Sequence, residues 1–414
     1  SPANSCQQCR VAAAGLSESS HLFGETYEPY TGKETPVYQY TLQNGNGMSV
    51  KILTYGGIIQ DIDVPNSDDV PDDVVLGFNS LQDYVTEDSP PVTANGGPYF
   101  GEVIGRFANR IAKGTFSLDQ PGVGPVTYTL PVNDGVNTLN GGLVGFGDHV
   151  WAGQPVQGPG YVGVQLTLVS PNGDDAGAAG SLGCPDGCTG FPGELKVVTT
   201  YRLNDSNQLV IHYRATDESS NLDTVVNLSN DSYFNLAGED SPAGSAYGQS
   251  VEINANSFLP TDSTQIPLGT ETSVSGTPFD FTSPQTIGSR IDEASAPSGS
   301  QLLIAQGYDQ NWVLNPKTRA TTGPDGLNLA ASAYDPSTDR TLTVWTDQPG
   351  LQFSTGNLLN GTLVGTSGNA YRQGAGYTFE TQHFPDSPNQ SSFPSTVLDA
   401  GATLNSETVY SLNW

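Results

Sequence analysis

Glu380 lies in the stretch GYTFETQHFPD over 376–386, a single carboxylate among Tyr377, Phe379 and Phe384. A carboxyl held among apolar groups has its pKa raised toward neutrality, where it serves as a base. Two other acidic residues have the same kind of neighbours. Asp231 adjoins Tyr233 and Phe234 in NLSNDSYFNLAG (227–238), and Asp309 stands between Tyr308 and Trp312 in GYDQNWVL (307–314). Arg106 and Arg110 occur four apart in YFGEVIGRFANRI (99–111), with Asn109 beside the second. An arginine here either pairs with structural carboxylates or offers several donors to an oxygen-rich ligand. The Gly- and Asn-rich segment 133–146 carries Asn140, and its amides either line a polar cleft or close consecutive turns. Gln352 adds an amide on a predicted strand. Aromatic faces joined to carboxylates, amides and arginine suit a site for a neutral sugar, whose ring faces stack while its hydroxyls are hydrogen-bonded.

Strands must carry most of these residues. Alternation predicts a strand through Tyr377, Thr378, Phe379, Glu380 and Thr381, and a strand holds a side chain more firmly than a loop does. Further strands are expected over 37–42, 49–55, 58–64, 74–78, 126–131, 161–169, 195–203, 208–215, 223–228, 341–346, 351–354 and 408–412. Between them lies turn chemistry such as Asn44-Gly45-Asn46-Gly47 and Gly56-Gly57. Residues 1–33 read as a polar, irregular arm with at most a short helix near 11–16. The division expected is an N-terminal arm over 1–35 and one β domain over 36–414, with a Gly-, Ala- and Asp-rich loop inserted at about 171–192.

The 414 residues exceed the ~250–300 at which single cores usually stop growing, so two domains or one very large β architecture are the priors. With 49 Gly and 29 Pro the chain disfavours long helices. Its 43 acidic residues against 14 basic ones give a net charge of -29, which repels nucleic acid and anionic membranes. The cluster Asp68, Asp69, Asp72 and Asp73 reads as a solvated loop. No stretch of ~18 apolar residues occurs to span a membrane. Cys6/Cys9 and Cys184/Cys188 form two close pairs; disulfides are expected in preference to a four-thiolate zinc site. The start at Ser1-Pro2-Ala3 without Met fits a removed secretory signal, so a secreted protein is expected. Sequons at Asn204, Asn227, Asn230, Asn360 and Asn389 permit glycosylation on that route. The sequence contains no phosphate loop, Gly-x-Ser-x-Gly elbow or His-Glu-x-x-His pattern.

The segments 99–111, 133–146, 227–238, 307–314, 348–357 and 380–387 resemble, in order and spacing, the successive motifs of the aldose 1-epimerases, and the resemblance runs from about residue 36 to 414. It implies an all-β fold, a large antiparallel β-supersandwich of the galactose mutarotase-like type, with a sugar in an open cleft. It implies a mechanism without cofactor or metal. A glutamate takes the proton of the anomeric hydroxyl, a histidine protonates the ring oxygen, and the ring opens, rotates and recloses. By this resemblance Glu380 is the base, Asp309 the sugar-binding aspartate, Arg110 (after Asn109) the arginine and Gln352 the cleft glutamine.

Two positions depart from the family pattern. Asn140 stands where the motif Asn-x-Leu-His-Gly-Gly has histidine, and Asp231 where Asn-His-Ser-Tyr-Phe-Asn-Leu has the acid histidine. Aspartate ionises near 3.9 against about 6.5 for histidine, so Asp231 donates a proton near neutrality only when burial or a neighbouring carboxylate raises it, unless the medium is acidic. Among the other histidines, His21 lies in the arm, His212 inside a strand, and His383 points away from Glu380 by alternation. His149, just past the Asn140 loop, is the candidate substitute at the sugar. The expectation is a secreted monomer that interconverts anomers of a free sugar, with Glu380 as base and Asp231 as acid. Two alternatives share the cleft: glycosidic cleavage by the Asp231/Glu380 pair, and sugar binding without turnover.

Overall fold

A computed structural model describes residues 15–88 and 97–414. Three antiparallel sheets make the body. The largest has nine strands in the order Ala152–Gly158, Tyr161–Ser170, Leu195–Asn204, Gln208–Asp217, Thr403–Asn413, Thr341–Thr346, Asn328–Tyr334, Ser250–Ile253 and Gln285–Thr286. A six-stranded sheet runs Tyr233–Phe234, Tyr377–Gln382, Gly350–Ser354, Asp309–Val313, Ser257–Leu259 and Thr272–Ser273. The third sheet joins five strands between Ser17 and Asp73 in chain order.

Alternation along the strands explains how two sheets share one core. In Leu195–Asn204 the buried positions are Leu195, Val197, Thr199, Tyr201 and Leu203, every second residue. In the six-stranded sheet, Trp312, Leu351, Phe353, Tyr377 and Phe379 join the cluster that also holds Val164, Leu166, Val197 and Tyr201 of the nine-stranded sheet. Aromatic packing fills that layer: Trp312 meets Phe353 edge-on at 5.7 Å, and Phe353 stacks on Phe379 at 5.6 Å.

Ser17–Glu28, read above as irregular arm, is a strand of twelve residues paired to Lys33–Gln43. Its polar composition hid it, because much of the strand is exposed and shows little apolar alternation. The span 74–78 is buried but makes only an isolated bridge, Val75 to Phe234, and 223–228 shrinks to Thr224–Val225. Asp73 is also no solvated residue: it is buried, and its Oδ1 accepts the amides of Ile62 (3.0 Å) and Val75 (3.1 Å).

Cys184 and Cys188 are disulfide-bonded, and Cys6 and Cys9 lie outside the described residues. The loop they belong to is more than a hairpin elaboration. Asp175 accepts the amides of Leu143 (2.8 Å) and Val144 (3.3 Å), and the Gly183 carbonyl accepts that of Val132 (3.0 Å). The insertion thereby braces the segment that carries Asn140.

Candidate active site

The register of the six-stranded sheet builds the site. Glu380 pairs with Gln352 and Gln352 with Asn311, while Thr378 pairs with Ser354 and Ser354 with Asp309. Directly opposed residues in neighbouring strands point to the same face, as do residues two apart in one strand. Asp309, Asn311, Gln352, Ser354, Thr378, Glu380 and Gln382 therefore form one polar face, and the aromatic residues between them form the core face. The strand Tyr377–Gln382 is buried on both sides, not half-buried as its alternation predicts.

Asp309 sits at the centre of a hydrogen-bond network. Its Oδ1 accepts from Gln352 Nε2 (2.8 Å) and its Oδ2 from Gln265 Nε2 (3.1 Å). Gln265 Oε1 in turn accepts from Arg110 (3.1 Å), whose Nε donates to Asp134 at 2.7 Å. Gln265 holds a left-handed backbone, φ 66°, which costs a non-glycine residue on the order of 1 kcal/mol and places its amide between the arginine and the aspartate. Sequence reading missed it, since it lies in a turn with no motif of its own.

Asp231 reaches Glu380 from outside the sheet. Its backbone is clamped between Gly101 and Glu102: the Asp231 amide donates to the Glu102 carbonyl (3.0 Å) and the Gly101 amide to the Asp231 carbonyl (2.9 Å). The side chains of Asp231 and Glu380 act directly on each other, at 4% and 9% exposure. Burial, and then the charge of Asp309, push Glu380 up to about 8; Arg110 and the contact with Asp231 act in the opposite direction. Burial raises Asp231 well above the ordinary carboxylate range, and Glu380, Asp88 and Asp309 add to it. Burial favours the protonated form of both carboxyls, and Asp231 Oδ1 has no hydrogen-bond partner.

Behind Asp231 lies a second carboxyl pair that sequence reading also missed, having treated 99–111 for its arginines. Glu102 and Asp88 are buried and act directly on each other, Asp88 Oδ1 accepts the Phe100 amide at 2.7 Å, and Asp88 Oδ2 and Glu102 Oε1 have no hydrogen-bond partner. Burial, then Asp88 and Asp148, raise Glu102 well above its usual value.

The remaining candidates divide. Asn140 Oδ1 accepts the Asn109 amide (2.9 Å), and Asn109 Oδ1 accepts that of Arg110 (2.9 Å), so both oxygens hold the turn that aims the arginine. Arg106 is structural: it is buried, stacks on Phe191 and donates to the carbonyls of Ser170, Pro171, Pro192 and Gly193. His149 is placed elsewhere. Far from being an exposed loop residue, it is wholly buried, donates or accepts at Nδ1 with Glu28 (2.7 Å) and stacks on Tyr30 at 3.7 Å. The strand Ser17–Glu28, unforeseen in sequence, covers it.

A cavity of about 210 Å³ opens beside Asp309, Tyr233, Gln265 and Ser354 and continues along Ile304, Leu358, Leu359 and Asn360. It is smaller than the ~300–1,000 Å³ of drug-sized ligand sites, which suits a small ligand. Asp231 and Glu380 are not in its wall; Gln352, which pairs with Glu380 across the strands, donates to Asp309 in that wall.

Among solved structures, a galactose 1-epimerase from Lactobacillus acidophilus matches with a TM-score of 0.74 at 26% identity, covering 96% of this chain and 99% of that one. An aldose epimerase homologue from C. elegans matches with a TM-score of 0.71 at 25% identity, covering 89% and 96%. The fold is therefore of the galactose mutarotase-like class. The aldose 1-epimerase family model matches residues 38–411. The galactose mutarotase of Bos taurus is 38% identical over 365 residues, 88% of this chain and 91% of that protein. The aldose 1-epimerase of Escherichia coli is 32% identical over 378 residues, 91% and 95%. The chain belongs to the aldose 1-epimerase family and is an aldose-epimerase-like isomerase.

Proposed function

We propose that the protein is a secreted enzyme that interconverts the anomers of a free sugar, with Glu380 as general base and Asp231 as general acid. The observation that carries this reading is the buried pair of Glu380, on the polar sheet face with Asp309, and Asp231 beside that face. Glu380 takes the proton of the anomeric hydroxyl as Asp231 gives its proton to the ring oxygen. The bond from the anomeric carbon to the ring oxygen breaks, an open-chain aldehyde forms, and rotation followed by reclosure from the other face reverses the transfers. No metal or organic cofactor is needed in this scheme. Asp309, Gln352 and Arg110 hold sugar hydroxyls while Gln265 orders the carboxylate and the guanidinium; Asn109 and Asn140 act through the turn they close.

Glycosidic cleavage by the same two carboxyls is the weaker reading. Such pairs stand ~5–5.5 Å apart for retention and ~6.5–9.5 Å for inversion, leaving room for the scissile oxygen. Here the two carboxyls act directly on each other, and neither lines the cavity. Secretion is supported by the bonded Cys184–Cys188 pair, since disulfides persist in oxidising compartments.

Polarimetry or NMR of a freshly dissolved α-anomer tests the proposal. Wild type is expected to accelerate equilibration and Glu380→Gln to lose the effect. Equal rates with and without wild-type protein at several pH values would overturn it, and calorimetric binding without turnover would make this a sugar-binding protein instead.

A further inference from the structure

The five sequons differ sharply in what the fold has done with them. Asn227 and Asn230 are 2% and 4% exposed, and their Nδ2 groups donate to the carbonyls of Ala108, His383 and Gly101. A glycan attached at either before folding would have to sit inside the packed interior next to Asp231. At Asn389 the Nδ2 donates to the Thr115 carbonyl (3.0 Å) and Asp386 Oδ1 (2.7 Å), so modification would break a tie between two segments. At Asn204 the Nδ2 donates to Gln208 (3.0 Å), and the Oδ1 accepts the amides of Ser206 and Gln208, closing a hairpin turn with the whole side chain.

Asn360 is different in each respect. It is exposed at the start of the strand Asn360–Val364. Its Oδ1 accepts from both the backbone amide (3.2 Å) and the hydroxyl (2.6 Å) of Thr362, the third sequon residue, and Gly361 supplies the left-handed bend (φ 84°) between them. Its Nδ2 donates no hydrogen bond among the described residues, so substitution there costs the fold nothing. Leu358, two positions before Asn360, is 66% exposed, an apolar surface that a carbohydrate chain would shield from water, while the adjacent Leu359 is buried.

We propose that Asn360 is the N-glycosylated residue of this chain, modified on the secretory route by a polyprenyl-pyrophosphate-linked oligosaccharide. The Nδ2 forms a bond to the anomeric carbon of the donor, the bond from that carbon to the pyrophosphate oxygen breaks, one amide proton passes to a base of the transferring enzyme, and the lipid pyrophosphate leaves. The attachment point lies in the wall of the cavity that Asp309 and Tyr233 also line, so the glycan stands at the entrance of the proposed sugar site. The inference rests on the secretory reading and is independent of the isomerase chemistry.

The full chain, fused to a generic secretion leader and produced in yeast, provides the test. Peptide-N-glycosidase converts a modified Asn to Asp, which peptide mass spectrometry locates. The expected result is conversion at Asn360 and at no other sequon, lost in both Asn360→Gln and Thr362→Ala and retained in Thr362→Ser. Wild-type protein carrying no glycan after passage through that route, or a glycan at another sequon with Asn360 unmodified, overturns the proposal. Turnover of a free hexose measured on the same preparation reports separately on the isomerase reading.

Discussion

Replacing Asp231 by Asn changes one atom of the pair and leaves its shape. The backbone clamp on Gly101 and Glu102 is untouched, and Asp231 Oδ1 has no partner to lose. An amide at this position can donate a hydrogen bond to Glu380 but cannot deliver its proton to a ring oxygen. A positioned acid or base contributes about 10²–10⁴-fold, so the variant is expected to lose kcat by that factor, about 3–5 kcal/mol of transition-state stabilisation. Asp309, Gln352 and Arg110 still hold the sugar, so KM is expected to stay within about threefold, as for an interaction made only in the transition state.

The pH dependence separates loss of an acid from general damage. Glu380 must be ionised, and burial with the Asp309 charge puts that ionisation at about 8. Wild-type kcat is therefore expected to rise about tenfold per pH unit from pH 6 toward 8, and to fall at higher pH when Asp231 gives up its proton. In Asp231→Asn the first limb persists, because burial and Asp309 are unchanged, and the alkaline limb disappears. Polarimetric initial rates from pH 5 to 10, with the uncatalysed rate subtracted, read both limbs. A variant within tenfold of wild type, or one that keeps its alkaline limb, would refute Asp231 as the acid.

Other changes have equally specific outcomes. Gln265→Ala removes the bridge between Arg110 and Asp309 and is expected to raise KM about three- to tenfold, roughly one hydrogen bond, with kcat little changed; a kcat effect alone would argue against a positioning role. Asp309→Asn replaces an acceptor of two amide donors by a group that must turn a donor toward one of them, and KM is expected to rise tenfold or more in steady-state rates. His149→Gln removes the imidazole contact of buried Glu28, which keeps the amides of Tyr30 and Val150, so urea denaturation is expected to show a loss of about 1–3 kcal/mol while the folded fraction turns over within twofold of wild type; selective loss of kcat would put His149 back at the sugar. Folded Glu380 keeps its proton to about pH 8 against 4.5 for the ordinary group, so stabilisation present below pH 4.5 is lost as pH rises through 8. Glu380→Gln is then expected to match wild type in stability at pH 4 and exceed it at pH 9 by several kcal/mol, on the order of 5 at most; a difference independent of pH would refute this.

The parts of the molecule legible in sequence are those where one local period or one motif carries the information. Strands such as Leu195–Asn204 and Gln208–Asp217 alternate plainly, and their expected bounds fall within two residues of those observed. The row of Glu380, Gln352 and Asn311 was only half legible: each residue stands on a strand the sequence announces, but their alignment depends on register between segments far apart in the chain. Gln265 and the Glu102/Asp88 pair were invisible because they matter through neighbours 14 to 155 positions away, and nothing in their own segments marks them. His149 misled for the same reason. A histidine after a glycine-rich loop looks solvent-facing until the strand Ser17–Glu28 is laid over it, and that strand is itself too polar to be read from its composition.

The replacement of the family's acid histidine by Asp231 is intelligible only with its surroundings. An imidazole titrates near neutrality with little help, so a histidine tolerates many environments as a proton donor. A carboxyl must be given an environment that holds its proton. Around Asp231 the fold supplies burial first, then the charge of Glu380, then Asp88 and Asp309. The Glu102/Asp88 pair adds a further carboxyl layer behind it, joined to Asp231 through the Glu102 carbonyl. The leading charges that act on Asp231 are all acidic, whereas Arg110 acts on Glu380 and lowers it. The asymmetry is what the proposed division of roles requires, since the burial and acidic charges that raise Asp231 are partly offset at Glu380. In the proposed scheme an aspartate does a histidine's work because its surroundings, burial and the carboxyls of Glu380, Asp88 and Asp309, hold its proton: it is a weak acid only by virtue of its site.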